Sequence, residues 1–163
     1  MSVPPGRRGK SSMQFVDTAA KIEYRTMQVC RRWPKSWMFF ITQRTVSLAS
    51  EIYEYAQRAN AIFPITTERD REDRLSALQA ALGANYAFAQ KIELAFSLFP
   101  ICGEKDKASA SELEEKSMTI LEELMNLCLE EEEALKGNIT YTRKAMIEGE
   151  KPSDSQEKKD VPD

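Results

Sequence analysis

The sequence predicts an all-α fold, an antiparallel up-down-up-down four-helix bundle, and three observations carry that prediction. Apolar residues recur at spacings of three and four over four long stretches. Glycine (6 residues of 163) and proline (7) are too scarce to supply the turns of an all-β protein. The breaks between stretches are short and fall near Pro34, Pro64 and Pro100–Gly103, so consecutive helices are expected to pack as antiparallel neighbours.

Residues 1–11 hold Pro4, Pro5, Gly6, Arg7, Arg8 and Lys10, and read as a disordered basic arm ahead of a bundle over 12–148. The first helix is expected from about Ser12 to Arg32. Phe15, Ala19, Ile22, Thr26, Val29, Cys30 and Trp33 share one sector of it at 3.6 residues per turn. Trp33 precedes Pro34 and is biased away from helix, while Pro34 suits the first turn of the next one. The second helix is expected to run unbroken from Trp37 to about Phe63. Its seam is Trp37, Ile41, Arg44/Thr45, Leu48, Ile52, Tyr55 and Ala59.

Thr66 and Thr67 offer N-caps to the third helix, and Glu68, Asp70, Glu72 and Asp73 place negative charge at its start. Its seam reads Leu75, Leu78, Leu82, Asn85, Ala89, Ile92, Phe96 and Phe99, closed by Pro100 and Gly103. A loop from Gly103 to Ala108 leads to Ser111-Glu112-Leu113-Glu114, a capping-box pattern. The fourth helix carries Ser117, Leu121, Leu124, Cys128, Leu135, Ile139 and Met146 on one side. Residues 149–163 read as a disordered charged tail.

Composition narrows the function. No run approaches the ~18 apolar residues of a membrane span, and no apolar segment follows the N-terminal cations as in a secretory signal. A cytoplasmic protein with no membrane partner is the expectation. Cys30, Cys102 and Cys128 are odd in number, widely spaced and free of any Cys-x-x-Cys motif, which suits reduced, packed thiols. Histidine is absent, which removes the commonest general base and the commonest metal ligand. With no nucleophile motif and no glycine-rich phosphate loop either, the sequence points to no catalytic residue, metal site or cofactor.

Charge is divided unevenly. Residues 1–61 hold ten Lys/Arg against four Asp/Glu, and residues 62–163 hold thirteen against twenty-two, for a net charge of −3. Such a chain suits a polar assembly, or an anionic partner met by its front half. The sharpest candidate is the ridge Lys21, Arg25, Gln28 and Arg32 on the first helix, extended by Lys35, Arg7 and Arg8. Several cations on one surface are what phosphate neutralisation requires, although a plain solvated helix face has the same composition.

Phe39, Val46 and Tyr53, spaced by sevens, form a second apolar stripe opposite the Leu48 seam. It suits an interface with another subunit or a partner, or a cover by the terminal arm. The run Glu130-Glu131-Glu132-Glu133 encircles its helix and reads as a solvated or ion-paired face, with Glu131 and Glu132 flanking the apolar seam as partners for basic groups such as Arg44 or Arg58. Asn85 inside a seam reads as a device for fixing register. Trp37 reads as core, while Trp33 is open to packing or to base stacking.

The order of Trp33-Pro34-Lys35-Ser36, then Gln43-Arg44, then Glu51-Ile52 through Arg58-Ala59-Asn60, resembles a known family. It is similar to four-helix-bundle proteins related to the accessory variability determinant of diversity-generating retroelements, a group that includes proteins encoded in ribosomal RNA intervening sequences. The likeness spans roughly residues 15–147, with Leu75 to Pro100 matching a long third helix. It implies a non-enzymatic accessory protein, a homopentamer that binds a reverse transcriptase and nucleic acid and supports template-directed cDNA synthesis. The family's basic surface maps onto Lys35 and Arg44; Lys21, Arg25 and Arg32 come from helix geometry alone. With a pI near 5.3, the acidic second half offers a docking face for a basic reverse transcriptase. The other expectation is a homo-oligomeric structural adaptor with protein partners only.

Overall fold

The computed structural model describes residues 13–102 and 110–145, with the side chains of 99–102 and 110–114 left aside. The expected arm, the loop 103–108, the capping box at 111–114, Phe99, Met146 and the tail lie outside those described residues or side chains. Four helices are present and no strand among the described residues: α1 (Gln14–Cys30), α2 (Gln43–Ala61), α3 (Glu68–Cys102) and α4 (Ala110–Lys144). The main contacts run α1–α2, α2–α3, α3–α4 and α1–α4, a closed four-sided cycle around one core. Bonds between α3 and α4 pair Arg71 with Ala145, Arg74 with Thr142, and Asn85 with Cys128, so these two helices are antiparallel.

The expected sector of α1 is the buried one: Phe15, Ala19, Ile22, Thr26 and Val29 face the core. Thr26 satisfies its hydroxyl by donating to the Ile22 carbonyl at 2.7 Å. The second helix departs from expectation. Lys35–Trp37 forms a 3₁₀ turn and Met38–Thr42 a π turn before the α-helix proper begins at Gln43. A π turn winds more loosely than an α turn, and it lets Trp37, Ile41 and Thr45 all reach the core. Thr45 donates to the Ile41 carbonyl at 2.8 Å inside that loosened stretch. At the shared seam position Thr45 is buried and Arg44 is exposed.

Helix α3 starts as its sequence requires. The Thr67 hydroxyl accepts the Asp70 N–H at 3.1 Å, and an Asp70 carboxylate oxygen accepts the Thr67 N–H at 2.9 Å, a reciprocal cap. Hydrogen bonds from Thr66 and Thr67 pull the Asp70 carboxyl down to about 2. The far end does not stop at Pro100; α3 continues to Cys102. A proline in the last turn removes one hydrogen bond, and little helix remains for it to break.

The expected α3 seam is rotated by about one residue. The buried line is Arg74, Ala77, Leu78, Ala81, Ala84, Asn85, Phe88, Ile92 and Ala95, while Leu75, Leu82, Ala89 and Phe96 pack half-exposed at its edge. Four alanines share this buried line with the large side chains of Leu78, Phe88 and Ile92.

Two buried ionisable groups interrupt this core. Arg74 is 2% exposed and meets no carboxylate among the described residues. It donates to the Ala59 carbonyl at the end of α2, to Thr142 Oγ1 at 3.2 Å and to Asn138 Oδ1 at 3.3 Å, and lies 5.4 Å from the Phe63 ring centroid. Glu131 is 0% exposed, and neither carboxylate oxygen has a hydrogen-bond partner among the described residues. Helix α4 therefore buries Leu124, Cys128, Glu131 and Leu135 in one line. The expectation of a solvated or ion-paired glutamate run fails at Glu131, because four consecutive residues encircle a helix and one of them must face inward. Arg44 is held by Glu51 instead, at 2.7 Å.

Burial pushes the Glu131 carboxyl up from about 4.5 to about 8. A carboxyl raised in the folded state contributes stability at low pH and loses it as pH rises between those two values. Unfolding free energy is expected to fall by at most about 3 kcal/mol between pH 4.5 and 7 from this group. Denaturant melts of Glu131→Gln should lack that decline; an unchanged pH profile would show that the carboxyl is not buried uncharged. Arg74→Ala is expected to cost about 3 kcal/mol, because it leaves three acceptors unmet. Arg74→Lys should recover less than half of that in urea titrations, since one ammonium cannot span all three.

Candidate functional site

The basic candidates occupy α1 and the turn that follows it. Helix periodicity lines up Lys21, Arg25, Gln28 and Arg32 along the side of α1 that meets α4. Arg25 donates to Gln28 at 3.0 Å and pairs with Glu123 of α4 at 3.4 Å. Next to that pair, Arg25, Gln28, Arg31, Arg32 and Ile120 line an open groove of about 560 Å³. A second groove of about 560 Å³ continues toward the start of α1. Its walls are Lys21, Tyr24, Arg25 and Gln28 on one side and Glu123, Asn126, Leu127 and Glu130 on the other.

The structure thus divides the ridge. At the Lys21 end the cations face carboxylates of α4, whereas Arg31, Arg32 and Lys35 are exposed and make no ion pair among the described residues. Arg31 was not among the expected site residues, although it lies next in sequence to Arg32. Arg44, assigned to the basic surface by the resemblance, donates to Glu51 at 2.7 Å and to Ser47 at 3.4 Å. Its charge is largely answered locally. Lys35 sits in the 3₁₀ turn between the helices, at the same end of the bundle as Arg31 and Arg32.

From Tyr24 to Ser50 the chain carries five cations, Arg25, Arg31, Arg32, Lys35 and Arg44, and no carboxylate at all. This acid-free span runs over the C-terminal half of α1, the 3₁₀ and π turns and the start of α2. It is the signal that a helix-by-helix reading misses, because it lies across an element boundary.

The apolar stripe separates as well. Phe39 is 80% exposed, but Val46 and Tyr53 are half-buried, and Tyr53 packs against the core while accepting a bond from Gln57 at 2.7 Å. The slip in register through the π turn takes Phe39 off the line of Val46 and Tyr53. What stands exposed instead is the consecutive trio Met38 (48%), Phe39 and Phe40 (80% each). Both tryptophans are buried, with ring centroids 5.6 Å apart at an interplanar angle of 67°. Trp33 is therefore core, and base stacking by it is ruled out.

Other chemistry finds little support in the described residues. Burial pushes the Cys30 and Cys128 thiols up to about 12, which makes them poor nucleophiles. No group of three or more Cys, Asp or Glu is placed to hold a metal among the described residues. No described helix is long and apolar enough to cross a membrane. No protein-family model, curated protein or solved structure matches the chain.

If Glu123 and Glu130 answer the charge of the ridge, neutralising them should expose it. Glu123→Gln with Glu130→Gln is expected to delay elution from immobilised heparin to higher salt. Stability should change by less than about 0.5 kcal/mol, as befits surface pairs. Unchanged elution would mean that Arg25 and Lys21 take no part in anion binding.

Proposed function

We propose that this chain is a non-enzymatic accessory protein of a retroelement. In this reading it is a cytoplasmic, homo-oligomeric up-down-up-down bundle that binds a reverse transcriptase and its RNA or cDNA and supports template-directed synthesis. The observation that carries it is the acid-free span from Tyr24 to Ser50, whose cations Arg31, Arg32 and Lys35, unpaired among the described residues, gather at one end of the bundle. Cations that no internal carboxylate answers suit an anionic ligand. The motif likeness around Trp33-Pro34-Lys35-Ser36 supplies the reverse transcriptase as protein partner and the pentamer as assembly state. Lys21, Arg25, Arg32, Lys35 and Arg44 are the binding residues of this reading, joined by Arg31. Val46 and Tyr53, the half-buried part of the apolar stripe, are its contact between subunits or with the enzyme.

A second reading rests on a different observation. Glu123 and Glu130 line the same grooves as Lys21 and Arg25, so part of the ridge is already answered within the chain. A homo-oligomeric adaptor with protein partners only would need nothing more.

Filter binding to RNA across a salt series separates the two. Three to five phosphate contacts on a single strand give an expected slope of about −2 to −4 for log affinity against log salt. Arg31→Glu with Arg32→Glu should abolish binding; absence of binding at low salt would leave the adaptor. Light scattering after gel filtration tests assembly, and a monodisperse 18.6 kDa species would sink the oligomer. Co-purification of a reverse transcriptase from native lysate tests the named partner.

A further inference from the structure

Phe39 and Phe40 are the two most exposed large hydrophobic side chains among the described residues, and they are adjacent. Two rings held at 80% exposure forgo the burial that an aromatic side chain ordinarily gains on folding. The 3₁₀ and π turns hold them there: Trp37 at the end of the first and Ile41 in the second face inward, and Met38, Phe39 and Phe40 face outward. The π turn follows directly on Arg31, Arg32 and Lys35, and no carboxylate interrupts the chain from Tyr24 to Ser50.

We propose that Phe39 and Phe40 form a stacking platform for unpaired nucleotides, with the groove of Arg25, Arg31 and Arg32 following the phosphates. The protein then takes single-stranded nucleic acid in preference to duplex. This rests on the nucleic-acid reading above and sharpens it to a class of ligand. A positively charged groove beside exposed aromatic faces is the general means of holding a single strand without reading its sequence. Duplex hides its base faces within its own stack, so the rings gain nothing from it. A lipid surface is flat, whereas these cations line a concave groove of about 560 Å³ between α1 and α4 that a strand can enter.

The test is fluorescence anisotropy of the full chain with a labelled unstructured oligouridine, and with an RNA duplex of the same length. Wild type is expected to bind the single strand at least about tenfold more tightly. Phe39→Ala and Phe40→Ala should each weaken oligouridine binding about tenfold, and leave duplex and heparin binding unchanged. Phe39→Trp should retain binding. Both rings are exposed, so circular-dichroism melts of these variants should match wild type. Equal affinity for strand and duplex, or alanine variants that bind oligouridine normally, overturns the platform and leaves the nucleic-acid reading standing. Binding to neither RNA overturns both. Ring-dependent binding to phosphatidylserine vesicles without a single-strand preference assigns the rings to lipid and overturns the proposal. A change of mass in Phe39→Ala by light scattering assigns them to a subunit contact and overturns it equally.

Discussion

Arg74 carries a charge into the bundle where no carboxylate among the described residues meets it, and two helix ends are arranged around that charge. The Ala59 carbonyl stands in the last turn of α2, where backbone oxygens lack intrahelical partners, and it takes one guanidinium donor. Thr142 and Asn138, near the end of α4, take two more. One turn earlier Arg71 donates to the Ala145 carbonyl at 2.6 Å and pairs with Glu68 at 3.0 Å. The start of α3 thus supplies cations to the negative ends of both neighbouring helices, the favourable sense of the helix dipole. A guanidinium can do this because its donors are fixed in a fork and its charge is weakly hydrated.

The opposite end of α2 is built for something else. There the backbone leaves regular α geometry through a 3₁₀ turn and a π turn. Arg31, Arg32 and Lys35 make no ion pair among the described residues, and Phe39 and Phe40 stand exposed. Irregular turns, unpaired cations and exposed rings each weaken a small bundle, and here all three lie within residues 31–42. The rest of the molecule is packed closely enough to carry them: both tryptophans lock beneath this turn in an edge-to-face pair.

Glu131 shows how far a pattern can be read along the chain. The spacing between Cys128 and Leu135 brings both Glu131 and Glu132 to the edge of the apolar seam and does not choose between them. Once α4 is set against its neighbours, Glu131 falls on the line of Leu124, Cys128 and Leu135. Asn85, expected to fix register, does bond the Cys128 carbonyl at 2.9 Å, but its own carbonyl oxygen is left without a partner. The core therefore holds a carboxyl and an amide oxygen that each lack a donor, a weakness unrelated to the open end.

By itself the sequence determined the four helices, most of their boundaries, the inward face of α1, the cap at Thr67 and Asp70, and the excess of cations in the first third of the chain. These follow from short-range physics: periodicity, capping chemistry and the restrictions that proline places on its neighbours. Only the tertiary structure decided that α3 turns Arg74 and a line of alanines inward in place of Leu75 and Leu82. It alone decided that Glu131 is buried, that Arg44 belongs to Glu51, and that Phe39 and Phe40 stand exposed while Trp33 does not. Each of these depends on how closely a neighbouring helix approaches and how far its register has slipped, and neither quantity is encoded in the spacing of residues along one strand of chain.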